Sequence, residues 1–97
     1  MVRELIFMDL RLGPDTDRWK EAFAEVQDAM RRIGVEPGRM WHPMTGSGRT
    51  VVIEREFESL AAYEADDERF HDATDFMALW RTMEALLDRM RVEVWQS

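Results

Sequence analysis

RMWHPMTGSGRTVVIEREF, residues 39–57, reads as a hairpin. A short strand covers Arg39 to Met44, Thr45-Gly46-Ser47-Gly48 forms the loop, and a second strand returns over Arg49 to Phe57. Pro43 suits an edge strand or a bulge, because proline has no N–H to give a ladder. In the returning arm Val51, Ile53, Arg55 and Phe57 alternate onto one face, while Val52, Glu54 and Glu56 take the other.

On the N-terminal side the hairpin is preceded by a helix and a strand. Trp19, Phe23, Val26, Met30 and Ile33 recur at spacings of three and four, which predicts an amphipathic helix over Thr16 to Ile33. Asp15 or Asp17 is its expected N-cap and Gly34 its C′ residue, before Pro37-Gly38 turns the chain. Before it, Val2 to Leu12 reads as a strand with Ile6, Met8, Leu10 and Leu12 on one face. Leu5 and Phe7 lie on the opposite face, so both faces are covered over part of its length.

On the C-terminal side Ser59 is a plausible N-cap for a helix carrying Leu60 to Tyr63, with a break expected near Phe70 to Asp72. Asp72 and Asp75 have capping-box spacing. Phe76, Leu79, Trp80, Met83, Leu87 and Met90 predict a second helix from Asp75 to Arg89, and Arg89 and Arg91 suit its C-terminal dipole. Arg91 to Gln96 alternates as a closing strand.

The resulting order is β-α-β-β-α-(α)-β, a split β-α-β arrangement. It predicts an α+β, ferredoxin-like fold: a four-stranded antiparallel sheet with helices on one face. Residues 1–97 form a single domain on this reading, since one core of ordinary size accounts for the whole length. The other sheet face is left bare, and a second copy of the chain is the commonest cover for such a face. Trp41 and Trp95 are candidates for that interface.

Composition narrows the function. The formal charge is −7, which argues against general nucleic-acid binding. There is no cysteine, hence no disulfide framework, zinc ribbon or thiol nucleophile. No apolar run reaches the roughly 20 residues of a membrane span and no signal-peptide pattern opens the chain, so a cytoplasmic protein is expected. Gly46-Ser47-Gly48 has no helix N-terminus behind it to hold a phosphate.

The layout resembles the dimeric α/β-barrel superfamily, and within it the NIPSNAP-like proteins. The resemblance is carried by Glu4-Leu5, by Leu10 with Gly13, by Thr45-Gly46-Ser47 and by Val51-Val52-Ile53-Glu54. Glu56-Phe57-Glu58-Ser59-Leu60, Asp75-Phe76 and Arg91-Val92-Glu93-Val94-Trp95 complete it. It implies a homodimer whose two sheets face each other as a barrel, with a pocket between sheet and helices in each subunit. Some relatives are cofactor-independent monooxygenases, some bind or degrade haem, and many have no established activity. Relatives acting on haem or aromatic substrates often carry a His in the helix after the third strand; here His71 comes only late, near the expected break. The early part of that helix reads Glu64-Ala65-Asp66-Asp67-Glu68, and the first strand lacks the Asn some oxygenases use. Both departures count against an oxygenase.

The expected ligand-binding residues are Met8, Phe23, Ile53, Phe57, Trp80 and Met83, with His71 or His42 as a polar contact. No catalytic residue is assigned, and His71 and His42 are the candidates. His42 is either an acid/base or ligand contact at a pocket edge or an ordinary edge-strand side chain. His71, set among Asp67, Glu68, Asp72 and Asp75, is either a pocket contact or a solvated surface residue. Two isolated histidines without a third ligand give no metal site, and no cofactor is expected. Glu54 and Glu56 could divide acid and base roles, or pair with arginines such as Arg3. The expected function is binding of a small apolar molecule by a homodimer. The alternatives are a cofactor-independent monooxygenase on an aromatic substrate, a haem binder and a non-catalytic structural dimer.

Overall fold

The computed structural model describes residues 1–46 and 48–97; Ser47 of the expected hairpin loop lies outside the described residues. The chain runs β1 (Val2–Leu10), α1 (Pro14–Arg32), β2 (Arg39–Trp41), β3 (Thr50–Phe57), α2 (Leu60–Asp72), α3 (Thr74–Glu84) and β4 (Leu87–Gln96). The four strands form one antiparallel sheet in the order β2-β3-β1-β4. This is the ferredoxin-like α+β fold, with β1 central and β2 and β4 at the edges.

The face under the helices carries the core. Ile6, Met8 and Leu10 of β1 and Val51 and Ile53 of β3 meet Trp19, Phe23, Val26, Ala29 and Met30 of α1, together with Phe76 and Met83 of α3. Trp19 stacks on Phe23 at 5.1 Å between ring centres, and its indole N–H donates to Met83 Sδ at 3.2 Å. These contacts pin α1 to α3. By contrast, α2 buries no residue fully.

The ends of the elements show where local chemistry prevails. α1 begins at Pro14, whose missing N–H costs nothing in the first turn; Gly13 is the N-cap, and Asp15 and Asp17 lie inside the first turn rather than capping it. Its C-terminus closes on Gly34 at φ +78°, with Val35 N–H bonded to Met30 O at 2.9 Å and Gly34 N–H to Arg31 O at 3.1 Å. The Ser59 hydroxyl caps α2, accepting from Ala62 N–H at 3.1 Å. The break between α2 and α3 falls at Ala73, and α3 has no side-chain cap, so Asp72 and Asp75 form no capping box among the described residues.

The largest departure lies at the C-terminus. The helical spacing through Leu87 and Met90 predicts a helix to Arg89, whereas α3 stops at Glu84 and Leu87 opens β4. The register explains the mimicry: Asp9 pairs with Arg89 and Leu10 with Leu87, leaving Asp88 as an extra residue in a bulge. That bulge brings Leu87 and Met90, three apart, onto one face of a strand. Arg89 and Arg91 are accordingly strand residues. β1 also ends two residues before the expected Leu12, and β2 three before Met44.

The opposite sheet face has no helix over it. It carries Arg3, Leu5 and Phe7 beside Val52, Glu54, Glu56, Arg91, Glu93 and Trp95, as the register dictates. Arg3 holds Glu54 at 3.1 Å and Glu56 at 2.9 Å, so this glutamate pair belongs to the open face and is matched by one arginine. Trp41 and Trp95 remain 50% and 60% exposed there. Among the described residues no helix is long and apolar enough to cross a membrane.

Candidate functional site

Glu4 of β1 and Arg55 of β3 are direct cross-strand partners on the helix-covered face. Each interrupts an apolar alternation, Glu4 between Val2 and Ile6 and Arg55 between Ile53 and Phe57. Arg55 is only 5% exposed. A buried guanidinium needs partners to offset its lost hydration. Asp66 of α2 supplies one at 3.0 Å from Nη2, and the Glu4 carboxylate stands 3.6 Å from Nε. Phe57 and Phe70 lie against the cation at 4.9 and 5.1 Å from their ring centres. Nε itself has no hydrogen bond among the described residues, since 3.6 Å is beyond hydrogen-bond length.

Above this pair the helices leave a cavity of about 170 Å3. Ile6 and Val92 of the sheet, Met30 of α1, Phe70 of α2, and Phe76, Met77 and Trp80 of α3 form its apolar wall. Phe76 stacks on Phe70 at 4.6 Å and on Trp80 at 6.1 Å, a continuous aromatic side. Glu4 and Arg55 form the polar end, with Asp67 and His71 also on the lining. The His71 Nε2 is 3.4 Å from Asp67, and both are exposed.

Burial pushes the Glu4 carboxyl above its ordinary range, against the pull of Arg55 and a hydrogen bond from Tyr63. The Tyr63 hydroxyl is in turn raised, first by burial and then by the charge of Glu4 beneath it. The result is a half-buried carboxylate disposed to hold a proton at the polar end of an apolar pocket. Among the described residues no group of three His, Asp or Glu side chains converges as a metal site would require.

No protein-family model matches the sequence, and no curated protein matches it significantly. Solved structures do match. An uncharacterized NIPSNAP domain protein from Burkholderia xenovorans superposes with a TM-score of 0.76 at 13% identity, over 100% of this chain and 94% of its own. The fold is that of the NIPSNAP proteins. The same NIPSNAP-like architecture recurs in a dimeric ferredoxin-like protein from an uncultured marine organism, with a TM-score of 0.72 and 13% identity over 97% of this chain and 92% of that one. It recurs also in an antibiotic biosynthesis monooxygenase-like protein from Nitrosomonas europaea, with a TM-score of 0.71 and 10% identity over 100% and 98% of the two chains.

Within this NIPSNAP-like fold the residues singled out from sequence separate. Trp80 and His71 stand on the cavity lining. Met8, Phe23, Ile53 and Met83 are buried in the core that supports it. Phe57 is half-buried beside Arg55 and meets Tyr63 edge-on at 5.3 Å. His42 is exposed just after β2, does not line this cavity, and is not joined there with His71. The sequence reading passed over Glu4, Arg55, Tyr63, Asp66 and Phe70. Charged residues in phase with a buried strand face were the available signal, because burial of a lone charge is costly enough to need a reason.

Proposed function

We propose that this chain is a cytoplasmic protein, a single ferredoxin-like domain that pairs with a second copy through its open sheet face. Each subunit binds a small, mostly apolar molecule between sheet and helices. The observation that carries the reading is an aromatic-walled cavity lined at one end by the Glu4–Arg55 pair. An apolar chamber with a few convergent polar groups is the usual form of a small-molecule site. A volume of about 170 Å3 is comparable to an engineered cavity of about 150 Å3 that takes up benzene, so the ligand is of single-ring size. Trp80, His71, Glu4 and Phe76 are its contacts, while Met8, Phe23, Ile53, Phe57 and Met83 set the walls behind them.

Pairing through the open face is supported by exposed Trp41 and Trp95 and by a concavity of about 360 Å3 between Met1, Arg3, Leu5 and Trp95. The likeness to a protein described as a dimeric ferredoxin-like protein supports it further.

Saturation-transfer NMR with toluene tests the binding reading. Transfer to toluene that disappears in Met77→Trp, which fills the chamber, supports it. No transfer to toluene, or transfer unchanged in that variant, refutes it and leaves a non-catalytic structural dimer.

A second reading, a cofactor-independent monooxygenase on an aromatic substrate, draws on the raised Glu4 carboxyl, suited to taking a proton from a phenol. Likeness to the Nitrosomonas europaea protein lends it support. Oxygen uptake with phenols that is lost in Glu4→Gln or His71→Ala would favour it. No uptake across a broad panel would exclude it.

A further inference from the structure

An arginine at the end of an apolar chamber ordinarily signals a carboxylate ligand. Here the surroundings of that arginine argue the reverse. The positive groups around the chamber already face carboxylates of the chain. Arg55 faces Asp66 at 3.0 Å and Glu4 at 3.6 Å. Arg69, outside the chamber, also reaches Asp66, at 3.4 Å, and His71 lies 3.4 Å from Asp67. The guanidinium has aromatic rings against it, and the Glu4 carboxylate stands 3.6 Å from its unbonded Nε. What the polar end carries in excess is negative charge: Glu4 and Asp67 both stand on the lining, against one guanidinium that Asp66 already holds at 3.0 Å.

We propose that the cavity selects ligands whose polar end is a hydrogen-bond donor, a hydroxyl or an amine on a single-ring body, and rejects carboxylates. A donor adds a hydrogen bond to Glu4 beside that from Tyr63, without disturbing the Arg55–Asp66 pair. An incoming carboxylate would instead set a further negative charge beside Glu4 and Asp67. Glu4 is thus the specificity-determining residue, and Arg55 holds it in place. This inference rests on the cavity being a binding site.

Four probes separate the two claims: toluene, phenol, benzylamine and benzoate, titrated at pH 7 while following the Trp80 indole resonance. Toluene binding establishes the cavity as a site whatever its polar preference. Phenol and benzylamine are then expected to bind about tenfold or more tightly than benzoate, the scale of one hydrogen bond to a charged group. In Glu4→Gln, where an amide replaces the charge, the ratio of phenol to benzoate affinity should fall severalfold. If that variant does not fold, the ratios for the unsubstituted protein decide alone. Benzoate binding as tightly as phenol, with toluene also bound, overturns the selectivity and leaves the site. Failure of all four probes overturns both.

Discussion

Asp66 on α2 reaches down to hold the Arg55 guanidinium of β3 at 3.0 Å, and this ion pair ties the least buried helix to the sheet. Their side chains are 18% and 4% exposed, so removing Asp66 leaves the buried Arg55 with only the longer contact to Glu4 at 3.6 Å. Asp66→Ala should therefore cost about 3 kcal/mol in urea unfolding. The double variant Arg55→Met with Asp66→Leu, which removes both charges of the pair, should cost clearly less. A double variant as costly as Asp66→Ala would contradict a loss that comes from the stranded charge.

Gly38 protects the same site from below. Its φ is +89°, and a Cβ there would stand 2.4 Å from the Glu54 carbonyl oxygen and 2.6 Å from Arg55 Cγ. Gly46, at φ +86°, has nothing within 4 Å of its would-be Cβ. Both Ala substitutions strain the backbone by about 1 kcal/mol, but only Gly38→Ala must also push β3 away. Thermal unfolding should show a substantially larger loss for Gly38→Ala than for Gly46→Ala. Similar losses would reduce the role of Gly38 to its backbone angle.

Burial raises the Glu4 carboxyl above its ordinary 4.5, with Arg55 and Tyr63 opposing. The folded protein then holds this proton more tightly than the unfolded chain does. The contribution of Glu4 to stability is fully present below about pH 4.5, falls as pH rises through the raised value, and is flat beyond it. In Glu4→Gln the titration is gone. The stability difference, unsubstituted protein minus Glu4→Gln, should decrease with pH across that window. A difference that is constant or rises would show the carboxyl to be unshifted or lowered.

The open sheet face gives a prediction of another kind. Trp95 is 60% exposed, so Trp95→Glu should leave the folded subunit intact. It should nonetheless split the proposed pair, since it places a charge where the apolar indole would be covered. Sedimentation at micromolar concentration should give a dimer for the unsubstituted protein and a monomer for this variant. Leu12→Glu, on a loop residue 76% exposed, is the control and should remain dimeric. A monomer in every case would rule out pairing.

The sheet and its two faces were legible because strand alternation is a local property: Val51, Ile53, Arg55 and Phe57 share one face in the sequence pattern and in the structure. Leu87 and Met90 misled for an equally local reason, since one bulged residue turns a strand spacing of two into the three of a helix. The polar end of the cavity was harder to see. Arg55 acquires meaning only when register sets it opposite Glu4 and when α2 lays Asp66 and Phe70 over it, residues separated by most of the chain. Neither histidine carries that information, and titratable side chains chosen by their ordinary pKa led away from the buried carboxylate.

The most direct test of the central claim is a crystal structure of the protein exposed to toluene. The account predicts a ring seated between Phe76, Trp80 and Ile6, with its edge toward Glu4. A chamber closed by its own side chains, or toluene bound only on the open sheet face beside Trp95, would contradict it.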